Sequence, residues 1–392
     1  MLEAMLAIIA VPPVILSTCF AVEVLAGLRP LAERGGSCGR SAPSAVVVIP
    51  AHNEESSIAD TIVALRAEAV GIADLLVVTD NCSDRTAQIA RAGGARTIVR
   101  TDPGARGKGH ALAFARDELA KSPPAIVLII DADCWIDRKG LTALIDAAIT
   151  WARPAQAVNL LRPDLAAAPF VQMSNFAFML RNLIRQRGLQ RLAGRVHLTG
   201  TGMAFPWELF AKANLGGASI VEDLELGVSL AAQGHAPVLV EGATVWSTAA
   251  SARATLQQRE RWEGGFLTKA LPAGLRGLRR SFARLDRCGL VAAIDLCIPP
   301  LVLLGLLDVA ASILLGLAAA SGGAAHPFLA VLAASGLAGL AVIMAWFREG
   351  RAFASLGAIA RIPLYVARKL PMYARLLIRG APRAWVRTDR GQ

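Results

Sequence analysis

The chain has 392 residues, 54% of them hydrophobic, with 41 Lys and Arg against 30 Asp and Glu and a formal net charge of +11. A mean hydropathy of +0.48 excludes a purely soluble protein, so membrane-crossing segments come first. The basic excess does not imply nucleic acid: no zinc-finger spacing, Arg-rich arm or aromatic RNA-binding motif accompanies it, and much of it flanks apolar stretches, where anionic headgroups account for it.

Residues 4–28 are apolar except Glu23, with Pro12 and Pro13 midway, and exceed the ~20 residues a bilayer crossing needs. No basic residue precedes them, while Arg29, Arg34 and Arg40 follow. That order predicts an uncleaved anchor over residues 1–28 with its N-terminus outside, not a signal peptide. Residues 29–44, with Gly35, Gly36 and Ser37, read as a linker.

From 45 to 250, short apolar runs alternate with helical patterns. Strands are expected at Ala45–Ile49, Leu75–Val78, Thr97–Val99 and Ile126–Ile130, and helices after Glu54, from about Asp84, and over Ala111–Leu119. Such alternation predicts the α/β class with a mostly parallel sheet covered by helices. A long helical stretch is expected from residue 166 to about Arg191.

Residues 289–319 and 328–347 are two further apolar stretches, the former interrupted by Asp295, Asp308 and the pair Pro299-Pro300. The loop from Ser321 to Pro327 has no Lys or Arg. Arg276, Arg279, Arg280, Arg284 and Arg287 precede the two stretches, in a basic interfacial segment over 271–288, and Arg348 and Arg351 follow them. The positive-inside rule then places the middle segment and the C-terminus in the cytoplasm. The tail, 348–392, mixes Tyr365 and Tyr373 with Arg361, Arg368, Lys369, Arg375 and Arg379, and reads as a basic amphipathic helix on the inner leaflet, a fourth span being the alternative. The six cysteines lack the spacing of a zinc or redox site, which suits a reduced cytosolic domain.

Within this frame Asp131 and Asp133 stand directly behind the run Ile126–Ile130. Two hard oxygen donors at a strand's carboxyl end lie where open α/β sheets bind ligands, and suit Mg²⁺ or Mn²⁺ bridged to phosphates. The first strand runs through Pro50 into His52-Asn53-Glu54-Glu55, either a ligand-facing helix start or ordinary capping. Asp80 ends the second strand, able to accept from a base or ribose, with Asp84 the candidate cap of the next helix and Cys82 a turn filler. Gly107-Lys108-Gly109 offers a cation between flexible residues, without being a Walker sequence. Thr199-Gly200-Thr201-Gly202 allows close approach of a substrate to backbone. Glu222-Asp223 opens a helix whose dipole favours an ionised Asp223, a candidate general base. Gln258, Arg261 and Trp262 share one helical face, as phosphate and sugar contacts or as an interfacial anchor.

Pro50-x-x-Asn53-Glu54, Asp80, Gly107-Lys108-Gly109, Asp131-x-Asp133, Glu222-Asp223 and Gln258-x-x-Arg261-Trp262, in this order, resemble the membrane-bound family 2 glycosyltransferases. These inverting GT-A enzymes include the cellulose, chitin, hyaluronan and poly-N-acetylglucosamine synthases. The resemblance covers about residues 45–265, together with the N-terminal anchor and C-terminal spans. It implies a Rossmann-like GT-A cytoplasmic domain over 45–270, followed by two transmembrane helices over 289–347, in the bacterial inner membrane. It also implies that Pro50, Glu54, Asp80, Lys108 and Asp131 hold a nucleotide sugar, UDP-linked by expectation. Asp133 would bind the metal, Mg²⁺ or Mn²⁺, and Asp223 would be the catalytic base. Glu222, Thr201, Gly202, Gln258, Arg261 and Trp262 would border the diphosphate and the acceptor. The acceptor would be a polysaccharide or lipid-linked glycan, with partner subunits for export compatible. Two departures matter: Thr199-Gly200-Thr201-Gly202 replaces the Phe-Phe-Cys-Gly-Ser of cellulose synthases, and three spans are few for a polymer channel. A single-addition glycolipid synthase, similar in layout to ceramide glucosyltransferases, and a catalytically silent nucleotide-binding subunit are the rival expectations.

Overall fold

A computed structural model describes residues 2–32, 44–216, 221–248 and 252–380. Most of the expected linker, with Gly35, Gly36 and Ser37, and the end of the tail lie outside the described residues. The described residues divide into two compact units: 2–30, 163–194 and 259–380 in one, and 31–32, 44–162, 195–216, 221–248 and 252–258 in the other.

The second unit is built on an eight-stranded sheet among the described residues. Its strands are β1 (Ala45–Ala51), β2 (Asp74–Asp80), β3 (Arg96–Arg100), β4 (Ile126–Ile129), β5 (Cys134–Trp135), β6 (Ala155–Leu161), β7 (Met203–Pro206) and β8 (Val238–Ser247), in the order β3-β2-β1-β4-β7-β6-β8-β5. β3, β2, β1 and β4 run parallel, β7 is antiparallel to both neighbours, and β6 and β8 are again parallel. This is the expected α/β class, its sheet parallel in the first half and mixed in the second.

β4 shows why an unbroken apolar run forms a central strand. Side chains alternate between faces, so Leu128 and Ile130 enter one core and Val127 and Ile129 the other. The first core lies under the helices Ile58–Ala69 and Arg138–Trp151, through Ile62, Leu65, Leu141 and Leu144. The second lies under Lys108–Leu119 and Glu222–Ala232, through Leu112, Ala115, Leu226 and Leu230. Full burial of each such side chain contributes about 1.5–3 kcal/mol. The parallel register then decides what the strands carry at their ends. Val48 pairs with Ile129 and Pro50 with Val78, so Asp131 falls level with Pro50 and Asp80 stands two residues further along, all three at the same end of the sheet.

Among the described residues, the other unit contains three helices long and apolar enough to cross a membrane: Met5–Gly27, Leu301–Ala320 and His326–Arg348. Leu6, Ala10, Leu315 and Val331 form their shared buried cluster. The apolar stretch 289–319 is not one helix. Arg287–Cys297, capped by Asp286 accepting from Gly289 N at 2.9 Å, ends before Pro299-Pro300, because proline has no amide hydrogen to continue the ladder and disfavours helix in the residue before it. The long helical stretch up to Ala193 is likewise composite, with a π-helical segment at Leu180–Arg185 between Pro169–Met179 and Gln186–Ala193.

Within the tail Ile362–Arg379 is a helix, and Lys369 on it points inward. It is buried, paired with Glu263, whose other oxygen accepts from the Tyr373 hydroxyl at 2.5 Å. Burial pulls the Lys369 ammonium below its ordinary range, and Glu263 opposes that pull. Breaking a buried pair by removing one partner costs about 3–5 kcal/mol, because the other charge stays behind. Glu263→Ala should therefore destabilise this unit by that amount in denaturation followed in detergent, whereas Arg375→Ala, which breaks the more exposed pair with Glu260, should cost about 0–1 kcal/mol.

Candidate functional site

The carboxyl ends of β1, β2 and β4 carry the site. Beyond β4, Asp131 O accepts from Cys134 N at 3.0 Å, which folds Asp131-Ala132-Asp133-Cys134 into a tight turn. One ligand atom each of Asp131, Asp133 and Cys134 lie within 4.8 Å of one another. The Cys134 thiol is pushed up to about 12, by burial first and then by the Asp131 charge, so it remains protonated and donates to Asp133 Oδ1 at 3.4 Å. The two carboxylates beside it are hard oxygen donors that fit a divalent cation such as Mg²⁺ or Mn²⁺.

Lys108 stands against this pair. It is the first residue of the helix Lys108–Leu119, and Gly107 before it has φ 128°, which disfavours any residue with a side chain. Its ammonium pairs with Asp131 and donates to Gly200 O at 2.5 Å. Burial alone would lower its pKa, yet Asp131, Glu222 and Asp223 raise it above the ordinary lysine range. A half-buried cation is thus paired with one carboxylate and within the field of two more from a second segment.

Glu222 and Asp223 open the helix Glu222–Ala232. Gly200 comes close to them: with φ +88°, a Cβ there would sit 3.3 Å from Asp223 Oδ2 and 3.9 Å from Lys108 Nζ. The Glu222 carboxyl is pushed up to about 7, by burial first and then by the Asp223 charge, with Lys108 opposing. A carboxyl whose folded pKa is raised stabilises the fold below its unfolded value and loses that contribution as pH rises through the folded one. The melting temperature of Glu222→Gln, measured against the unmodified protein, should therefore gain as pH rises from about 4.5 to about 7, most steeply midway between them, and level off above. A difference flat with pH would remove the near-neutral titration.

Asp80 is buried at the end of β2, and its Oδ1 accepts from Arg100 Nη1 at 2.6 Å and Asn81 Nδ2 at 3.0 Å. Arg100 also donates to Ala105 O at 2.7 Å and to Asp102 at 2.8 Å. No sequence motif marked Arg100, although its register opposite Asp80 on β3 follows from the strand pairing. Around this end the turns after β1 and β2 are stitched together: His52 Nδ1 lies 2.6 Å from Asp80 O, Ser83 N donates to Asn53 Oδ1 at 2.7 Å, and Glu54 N donates to Thr86 Oγ1 at 2.8 Å. The Glu54 carboxylate accepts from Ser57 Oγ at 2.7 Å, and Asp84 accepts from Thr86 N at 3.0 Å, although the cap position of the helix Thr86–Ala92 is Arg85 and not Asp84.

Thr201 and Gly202 lie beneath the carboxylates. Thr201 is 3% exposed and its hydroxyl accepts from Asp131 N at 3.1 Å. Gly202, at φ +66°, leaves no room for a side chain, since a Cβ would be 2.7 Å from Val245 and 2.8 Å from Ala157. Gln258 falls in the sheet-bearing unit, and Arg261 and Trp262 in the helical one, although all three share the helix Ala252–Gly265. There Trp262 stacks on Phe178 at 5.2 Å and lies under the Arg259 guanidinium at 5.0 Å. Arg259, another residue no motif singled out, is buried and donates to Ser174 Oγ at 2.7 Å.

A model of the family described as glycosyltransferase like family 2 matches residues 43–265. Glycosyltransferase AglJ of Haloferax volcanii is 32% identical over 105 residues, which is 26% of this chain and 32% of that protein, so the match spans about a third of the curated relative's length. Among solved structures, the mannosyltransferase PcManGT from Pyrobaculum calidifontis, in complex with GDP-Man and Mn²⁺, is 17% identical over 95% of each chain with a TM-score of 0.47. Glucosyl-3-phosphoglycerate synthase from Mycobacterium tuberculosis, in complex with Mn²⁺, UDP-Glc and phosphoglyceric acid, is 22% identical over 55% of this chain and 79% of that one, with a TM-score of 0.37.

Proposed function

Because the chain belongs to glycosyltransferase like family 2, we propose that it is an inverting enzyme that moves a sugar from a nucleotide diphosphate donor to a glycan or lipid-linked acceptor at a membrane. The observation that carries this reading is the half-buried Lys108 ammonium, paired with Asp131 and within the field of Glu222 and Asp223. Such an arrangement supplies a cation for diphosphate oxygens next to a carboxylate able to take an acceptor proton.

In this reading Asp223 removes the proton from the acceptor hydroxyl as the oxygen attacks the anomeric carbon, while the bond to the diphosphate breaks on the opposite face and inverts the configuration. Positioned bases contribute roughly 10²–10⁴-fold. Asp131 and Asp133 would hold Mg²⁺ or Mn²⁺, which when bound supplies neutralisation of the charge growing on the departing diphosphate. Lys108 adds a fixed positive charge to the same group. Asp80, with Arg100 beside it, lies where the nucleoside would be read, and Pro50 and Glu54 border that end. Arg261, Gln258 and Trp262 are proposed for the diphosphate and acceptor side.

A membrane setting is supported by the three long apolar helices and by the helix Leu271–Arg284. That helix buries Gly274 and Ser281 while exposing Leu275 and Phe282 beside Arg276, Arg279, Arg280 and Arg284, the division of an interfacial helix. It favours an acceptor dissolved in the leaflet, and with it the single-addition glycolipid reading, over a chain-threading synthase. The deciding experiment is purified protein in detergent or lipid nanodiscs, incubated with labelled UDP- and GDP-sugars and candidate lipid acceptors. Transfer with release of the nucleoside diphosphate is the expected result, one sugar per lipid marking single addition and a ladder marking polymerisation. No transfer and no slow donor hydrolysis with any sugar would overturn the enzymatic reading in favour of a silent nucleotide-binding subunit.

A further inference from the structure

Gln156 has no counterpart among the motifs described above, yet it is fully buried in β6, a strand whose residues are all buried and otherwise apolar apart from Asn159. Its side chain is spent on one loop and on its own strand. Oε1 accepts from Thr199 N at 2.9 Å, and Nε2 donates to Thr201 O at 2.9 Å and to Ala157 O at 2.8 Å. Asn159 completes the clamp, with Nδ2 donating to Thr199 O at 3.1 Å. A regular strand would turn residues three apart to opposite faces, yet both amides reach Thr199, and the β6–β8 register shifts between them, at Ala157/Val158.

The loop so held is the one that meets the carboxylate turn. Thr201 Oγ1 accepts from Asp131 N, and Gly200 O accepts from Lys108 Nζ. We propose that Gln156 is a positioning residue: it fixes the Thr199–Gly202 loop, and the loop in turn fixes the Asp131 backbone and the Lys108 ammonium at the spacing needed by a divalent cation and a diphosphate. The inference rests on the function proposed above, but it concerns this chain's own hydrogen bonds.

Replacement by an apolar side chain of similar length leaves the buried Thr199 N–H and Thr201 C=O without their partners, a larger penalty than losing a solvent-exposed bond. Outer-shell partners of metal ligands typically change metal affinity about 10–100-fold. The test is Mn²⁺ binding to the full-length protein followed by electron paramagnetic resonance, with donor KM and kcat measured alongside. Gln156→Met should weaken Mn²⁺ binding by about 10–100-fold. It should also be strongly non-additive with Thr201→Val, since both act through one chain of bonds. Gln156→Glu keeps a donor and an acceptor only while its carboxyl is protonated, so its Mn²⁺ affinity relative to the unmodified protein at the same pH should be near normal in acid and fall as pH rises. Unchanged affinity in Gln156→Met, or additive effects with Thr201→Val, would overturn the proposal. If Gln156→Met does not fold, a Gln156→Glu affinity ratio that is flat with pH would overturn it instead. Failure of the unmodified protein to bind Mn²⁺ or any nucleotide sugar would count against the function proposed above, and is distinct from either outcome.

Discussion

Asp223→Asn is expected to reduce turnover by roughly 10²–10⁴-fold while donor affinity stays nearly unchanged. The substitution keeps the shape of the side chain, so the helix Glu222–Ala232 should not shift. What is lost is the ability to accept the acceptor's proton. A second consequence follows from the charge removed. Burial is the main reason that Glu222 titrates near 7, but the Asp223 carboxylate is the next, so Glu222 should titrate at lower pH in the Asn variant. The pH dependence of stability would then move toward acid, which a series of melting curves can detect. Transfer by Asp223→Asn at the unmodified rate would remove Asp223 from the role of base without touching the family assignment.

The second large effect is expected at Asp133. Asp133→Ala should abolish the Mn²⁺-dependent part of donor binding, so that calorimetric titrations with and without Mn²⁺ become alike. Asp133 is a cleaner probe than Asp131. Asp131 is also the partner of Lys108, and its removal would leave a half-buried ammonium short of its counter-ion. Asp131→Ala should therefore lower stability as well as donor affinity, while Asp133→Ala should change mainly the latter. Metal-dependent donor binding that survives in Asp133→Ala would place the ion elsewhere.

These two residues also show how far local pattern reaches. Asp131 and Asp133 were visible because a β-branched apolar run ends directly before them, and a run of that kind becomes a buried strand almost regardless of its surroundings. The three membrane-length helices were visible for the same reason, since hydropathy over some twenty residues is a local property. Where local signals compete, the boundaries moved. Pro299-Pro300 divides an apolar stretch that composition alone joins, and the helix expected at Ala111 begins at Lys108, because Gly107 supplies the entry conformation.

Sequence alone determined the α/β class, the acidic and basic residues at the strand ends and the apolar segments, because each depends on periodicity within a few neighbouring residues. Only the tertiary structure decided which of those groups meet. Lys108 reaches Gly200 across 92 positions, Gln156 reaches Thr199 across 43, and Lys369 reaches Glu263 across 106. Charge and amide pairing over such separations is set by sheet order and register, and so is the burial that pushes Glu222 to near-neutral titration. A lysine read from the sequence as facing lipid turned inward, because a buried carboxylate outside its own helix was there to receive it.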